Sequence, residues 1–205
     1  MLLFKNELAD TDFMHVVRHD IQNVTFTNRF DIKKKFVMYE YAPYVFSKIR
    51  GIIGFDDRDY LKSIGPENIL GNLLLGNLNT LREIASAGKS GSIFYLTHDK
   101  RFFVKTISLS EHQHAFEILR HYYDHLKRNP NTLICKVTNL YKIETYLANK
   151  ERTMYVCIMK NEFCDLSPDI TYDLKGSRKG RSARKDGKRS SGDDPKMVLK
   201  DLDWE

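Results

Sequence analysis

At 205 residues, with 41% hydrophobic and 29% charged side chains, the chain has the size and composition of one globular domain with a sizeable core. No apolar run approaches the ~20 residues of a membrane span, and the apolar start Met1–Phe4 soon meets Lys5, Glu7 and Asp10, which argues against a secretory leader. The net charge is +6, yet Lys175–Arg189 alone holds eight Lys or Arg against one Asp, so the rest of the chain is close to neutral and is not a basic body. Cys135, Cys157 and Cys164 have no C-x-x-C spacing, which excludes a zinc site and a disulfide framework and predicts reduced, mostly buried thiols in the cytosol or nucleus.

In chain order, Asn23–Phe30 alternates β-branched and aromatic residues and predicts a strand. Phe36–Ile53 places Tyr41, Val45, Phe46, Ile49 and Ile52 at three- and four-residue steps, an amphipathic helix entered near Pro43. Asp56–Ile64 reads as a short helix ended by Gly65-Pro66, and Asn68–Ile84 as one or two buried helical pieces broken at Gly76. Ile93–Leu96 and Arg101–Ile107 are short β runs flanking the turn T-H-D-K. Glu111–Lys127 returns to helix, with Leu109, His112, Phe116, Leu119, Tyr123 and Leu126 on one stripe. Leu133–Val137, Leu140–Thr145 and Thr153–Met159 are the last strand candidates. Helices, a hairpin, a helix and then antiparallel strands make an α+β domain, an antiparallel sheet with packed helices. The cationic, Gly- and Ser-containing tract is too polar to bury and reads as a mobile loop.

The chemistry concentrates in G-K-S-G-S-I-F-Y-L-T-H-D-K-R-F-F-V-K-T-I, Gly88–Ile107. Gly88-Lys89-Ser90 looks like the end of a P-loop, but Glu83 stands where the first glycine belongs and a strand follows instead of a helix. A kinase-type glycine loop between antiparallel strands fits better: Gly88 and Gly91, with Lys89, Ser90 and Ser92, lead into a strand and offer backbone N–H groups to phosphates. Strand alternation puts Phe103, Lys105 and Ile107 on one face, read as core-facing. A lysine there either binds nucleotide phosphates or snorkels at a strand edge; the glycine loop before it and the helix after it favour the first. Glu111, ahead of Glu117, is the carboxylate to orient it. The apolar strand ending in Met159-Lys160-Asn161 reads as an adenine hinge or simply as a strand leaving the core.

Asp173-Leu174-Lys175-Gly176-Ser177 matches the D-L-K-G-S signature of the phosphatidylinositol phosphate kinases. Y-A-P-Y-V-F with D-D-R-D-Y-L, the glycine loop with Lys105, Y-Y-D-H-L with N-P-N-T-L, and L-K-D-L-D-W resemble further segments of that family, in its order, from about Tyr41 to Glu205. The resemblance implies a kinase-like nucleotide-binding lobe in residues 41–205, preceded by an extension over 1–40 and carrying a basic flexible loop over 175–196. It implies ATP contacts from Gly88, Lys89, Ser90, Gly91, Ser92 and Lys105, with adenine near Phe103, Met159 and Asn161. It places Lys175, with Asp173 in the same motif, by the reacting phosphate. Mg²⁺ is implied as a cofactor, its ligands unassigned. The family's M-D-Y-S-L-L and I-I-D segments have no counterpart before Glu205, so the expectation is an incomplete copy that lacks the C-terminal lobe.

The same resemblance implies a phosphoinositide substrate in an anionic membrane, contacted by Arg178, Lys179, Arg181, Arg184 and Lys185, and a peripheral cytoplasmic protein. The G-S-x-x-G-R continuation leans to the 4-phosphate 5-kinase branch. The rival from another class is a non-catalytic membrane-binding or dimerising module, with a homodimer as partner. A nucleic-acid partner is disfavoured, because no RNP-like strand accompanies the charge.

Overall fold

A computed structural model of the chain describes residues 7–21, 35–65, 81–84, 92–147, 150–164, 166, 169–184 and 197–204. The chain divides into two units, Met1–Glu162 and Phe163–Glu205.

In the first unit the elements are α1 (Asp10–Met14), β1 (Val16–Ile21), β2 (Lys35–Tyr41), α2 (Pro43–Ile52), α3 (Asp57–Ser63), β3 (Leu81–Ile84), β4 (Phe94–Thr97), β5 (Phe102–Ile107), α4 (Leu109–Glu117), α5 (Leu119–Arg128), β6 (Val137–Leu147) and β7 (Lys150–Lys160). Among the described residues the strands form one seven-stranded sheet in the order β1-β2-β6-β7-β5-β4-β3, with every neighbouring pair antiparallel. The expected antiparallel sheet with packed helices is therefore what forms.

Both faces of the sheet are covered, because successive strand residues point to opposite sides. On one face Tyr60 of α3 and Ile64 just beyond it pack on Met38, Phe102, Val104, Ile143, Val156 and Ile158. On the other, Val45, Phe46 and Ile49 of α2 and Leu119 and Leu126 of α5 pack on Leu140 and Cys157. Cys157 and Ile158, adjacent in β7, thus belong to different cores.

Several expectations need correction. The helix expected in Phe36–Ile53 is entered at Pro43 as expected and forms α2 (Pro43–Ile52), but the part of that stretch before it, Tyr41 of the expected stripe included, is β2. Ala42, buried in the left-handed region at φ 45°, makes the corner, and its N–H donates to the His15 carbonyl at 2.7 Å. Leu81–Ile84 is a strand paired with β4, not the end of a helix. The stripe from Leu109 to Leu126 is cut at Ile118, which closes α4 and opens α5. The break lets α4 bury His112 while α5 turns Leu119 and Leu126 onto α2; Leu109 is left half exposed.

Leu133–Lys136 is a loop that leads into β6 at Val137, with Leu133 fully exposed; its main chain is held by the Tyr122 hydroxyl, which donates to the Cys135 carbonyl at 3.0 Å and accepts from Val137 N–H at 2.7 Å. Cys135 is exposed, so burial holds fully only for Cys157, whose thiol it pushes up to about 12. The T-H-D-K turn forms as expected, with Lys100 N–H donating to the Thr97 carbonyl at 2.8 Å. Asn23–Phe30 and Asn68–Thr80 lie outside the described residues.

The second unit contains β8 (Thr171–Asp173) and β9 (Val198–Lys200), paired in parallel, and a 3-10 turn over Asp201–Asp203.

Candidate functional site

Lys105 sits in the middle of β5, opposite Phe94 of β4 and Cys157 of β7. Phe102 and Val104 fill the core beneath α3, so Phe103, Lys105 and Ile107 share the other face. That face is not the closed core that the alternation suggested. Phe103, Lys105 and Ile107 are all half-buried, and the Lys105 side chain is 25% exposed. A lysine here keeps its ammonium at the surface and meets none of the cost of full burial.

Its partner is Glu111, as expected: Nζ lies 3.5 Å from Oε1. Glu111 is fixed independently by a capping box at the start of α4. Its Oε2 accepts from Ser108 N–H at 2.7 Å and from Ser108 Oγ at 2.9 Å, and Ser108 Oγ accepts from Glu111 N–H at 3.2 Å. These bonds, the Ser108 backbone first and Lys105 after them, hold the carboxyl below its usual range. The ammonium also lies near the Phe94 ring, its centroid 5.6 Å away. A separation of 3.5 Å is long for a charge-assisted bond, so the site presents a cation that Glu111 orients without engaging closely.

The remaining nucleotide candidates divide. Phe103 pairs with Met159 across β5 and β7, and both are half-buried on the Lys105 face. Asn161 is buried and serves the β4–β5 turn: its Nδ2 donates to the Lys100 carbonyl at 2.7 Å and its N–H to the Arg101 carbonyl at 2.8 Å. Gly88, Lys89, Ser90 and Gly91 lie outside the described residues. The segment that follows them is tied to β5 next to Lys105. Ile93 N–H donates to Thr106 Oγ1 at 2.8 Å, and Thr106 N–H to the Ile93 carbonyl at 3.0 Å. Just past β7, Glu162 bridges Lys136 and Lys160, each at 2.9 Å; burial opposes its charge, but the two ammonium groups hold its carboxyl low.

In the second unit Lys175 and Asp173 form an ion pair at 2.8 Å, and the Lys175 side chain is 62% exposed. The pair lowers the Asp173 pKa. The tract beyond it is not a uniformly solvated loop. Arg181 is fixed by Asp201, with Nε 2.7 Å from Oδ2, and also donates to the Asp173 carbonyl. Ser182 Oγ and Ala183 N–H donate to Asp203 at 2.8 and 2.7 Å, and Arg184 donates to the Asp203 carbonyl at 3.3 Å. Asp203 is buried, which opposes its charge, yet Ala183 N–H, the Ser182 hydroxyl and Lys200 N–H draw its pKa down to about 2. Of the five residues expected at a membrane, Arg178 and Lys179 are exposed, Arg181 and Arg184 are committed within the fold, and Lys185 lies outside the described residues.

Sequence reading missed Ser108 and Asp201. The first was signalled by S-x-x-E before an apolar run. The second lay in K-D-L-D-W, quoted for its resemblance and not for what its carboxylates hold.

Residues 75–205 match the family model described as phosphatidylinositol-4-phosphate 5-kinase. The chain belongs to this family. A phosphatidylinositol 4-phosphate 5-kinase of Plasmodium falciparum is 37% identical over 172 residues, which is 82% of this chain and 10% of that protein. The its3 phosphatidylinositol 4-phosphate 5-kinase of Schizosaccharomyces pombe is 37% identical over 204 residues, 97% of this chain and 24% of its own length. Phosphatidylinositol 4-phosphate 5-kinase 8 of Arabidopsis thaliana is 39% identical over 165 residues, 80% of this chain and 19% of that protein. The chain thus spans about a tenth to a quarter of the length of these curated relatives. Among the described residues of this lipid-kinase family member, no helix is long and apolar enough to cross a membrane. Nor, among them, is any group of three or more His, Cys, Asp and Glu side chains placed to hold a metal ion.

Proposed function

We propose that this chain provides the ATP-holding part of a phosphatidylinositol phosphate kinase, which transfers a phosphoryl group from ATP to the headgroup of phosphatidylinositol 4-phosphate at a membrane surface. The observation that carries the reading is Lys105, half-buried on β5 next to the anchored exit of the glycine loop and oriented by a Glu111 that Ser108 fixes in turn. ATP is the phosphoryl donor. Lys105 meets its phosphates as a point charge, and Phe103 and Met159 supply an apolar surface to its base. The family's D-L-K-G-S motif assigns Lys175 the task of offsetting the negative charge that develops in the transfer. Exposed Arg178 and Lys179 hold the anionic bilayer, each contributing about 1 kcal/mol. No Mg²⁺ ligand is assigned. The N-terminal kinase-lobe architecture is part of this reading, supported by the antiparallel sheet with α4 following the lysine strand.

The test is incubation with labelled ATP and phosphatidylcholine vesicles carrying phosphatidylinositol 4-phosphate, followed by separation of the lipids. Label in a doubly phosphorylated lipid supports the reading. Failure to bind ATP would overturn it, and vesicle adsorption without ATP binding would return the non-catalytic membrane-module alternative.

A further inference from the structure

The D-L-K-G-S stretch is shaped by a residue 26 positions downstream of its lysine. The main-chain N–H groups of Lys175, Gly176 and Ser177 all point at Oδ1 of Asp201, at 2.8, 2.7 and 3.4 Å. Three successive N–H groups around one point make a concave anion site, and here the chain's own carboxylate occupies it. The bend requires Gly176 at φ +67°, a left-handed conformation costly for any side chain; no atom lies within 4 Å of a Cβ added there, so the need is conformational.

The other carboxylate oxygen, Oδ2, accepts from Arg181 Nε at 2.7 Å. The same guanidinium donates to the Asp173 carbonyl and lies 3.3 Å from Asp173 Oδ2. Parallel pairing of Asp173 with Lys200 brings Asp201 to this point, one residue further along. A closed ring results: Asp173, the Lys175–Ser177 bend, Asp201 and Arg181.

We propose that Asp201 is the positioning residue for Lys175. Its carboxylate clamps the three N–H groups, Arg181 holds the carboxylate, and together they set where the Lys175 side chain starts and which way it leaves the chain. The proposal gives the K-D-x-D stretch a task in the site, and it rests on the transfer reading only for what Lys175 then does. Asp201 keeps its charge through the ordinary pH range: burial works against the carboxylate, but Arg181 and the N–H groups outweigh it and depress its pKa strongly. The clamp is therefore insensitive to pH near neutrality.

The experiment compares the unaltered protein with Asp201→Asn, Asp201→Glu, Lys175→Ala and the Asp201→Asn/Lys175→Ala pair. Amide hydrogen exchange is read at residues 175–177, and turnover is read with ATP and phosphatidylinositol 4-phosphate in phosphatidylcholine vesicles. Asp201→Asn should speed exchange of the three amides about tenfold or more. It should lower kcat by about a hundredfold while the ATP KM stays within about twofold, since Lys105 is untouched. Asp201→Glu should recover part of both losses, and the pair should be no slower than Lys175→Ala alone.

Unchanged exchange in Asp201→Asn would overturn the proposal, as would a fully additive pair. Should Asp201→Asn fail to fold, Gly176→Ala strains the same bend without touching the carboxylate and carries the same readouts. If Lys175→Ala turns over normally, the transfer reading is what fails; absent turnover in the unaltered protein is what an incomplete copy gives and leaves the decision to the amides. The exchange comparison still decides whether Asp201 holds the bend.

Discussion

Replacing Lys105 with Met keeps the length and apolar stem of the side chain and deletes its charge, so it separates ligand binding from fold. The structure sets the stability side of the comparison. The ion pair to Glu111 is 3.5 Å long between side chains 25% and 50% exposed. A pair so exposed contributes about 0–1 kcal/mol. Glu111 keeps its two bonds from Ser108 after the substitution, so no carboxylate is stranded. The ligand side is larger: a charge-assisted contact to a phosphate is worth about 1.5–3 kcal/mol, a loss of about tenfold to a hundredfold in affinity.

Calorimetric titration with ATP, together with thermal melting of both proteins without ligand, reads the two quantities separately. The expected result is a weakened Kd with a melting temperature that moves by no more than a few degrees, about what 1 kcal/mol gives a domain of this size. An unchanged Kd would refute the reasoning and make the glycine segment an ordinary turn. A destabilisation well beyond 1 kcal/mol in the unliganded protein would make Lys105 structural.

Ser108→Ala removes the capping hydroxyl of α4 and should cost about 1 kcal/mol, read as a lower urea midpoint; an unchanged midpoint would mean that the box contributes nothing. His112 is buried against Tyr41 and Tyr155, and its pKa is lowered from 6.5 by burial and then by the charge of Lys142. As pH falls, the unfolded chain therefore binds this proton first. Stability should be unaffected by His112 above about pH 6.5 and fall below it, giving a melting-temperature slope that His112→Phe reduces; equal slopes would contradict the assignment. Neutralising Arg178 and Lys179 together should weaken adsorption to anionic vesicles by about 2 kcal/mol at low salt, and the difference should shrink at high salt. Arg181→Ala should instead accelerate amide exchange in Lys175–Ser177, because its guanidinium fixes Asp201; wild-type vesicle binding by the double variant would remove the membrane role from this tract.

Much of this protein is determined by local sequence. The β4–β5 hairpin, α3 with its Asp56 cap and the placement of Lys105 before a helix carrying Glu111 follow from turn chemistry, capping and strand alternation, which depend on near neighbours. The family is likewise legible in short motifs, D-L-K-G-S above all. What periodicity could not decide is where a pattern changes element. Lys35–Tyr41 is a strand because β1 and β6 offer backbone partners on either side of it, and Ala42 turns the chain into α2 without a glycine to announce the corner.

The stripe from Leu109 to Leu126 breaks at Ile118 because its two halves bury against different elements, a fact of packing that no residue in the stripe records. Charge was the other blind spot. Eight cations in a run look alike in sequence, yet an ion pair with Asp201 holds Arg181 and a hydrogen bond to the Asp203 carbonyl holds Arg184, each about twenty residues away, and both are half-buried while Arg178 and Lys179 are exposed. An ion pair is chosen by distance in space, and only the folded chain sets that distance.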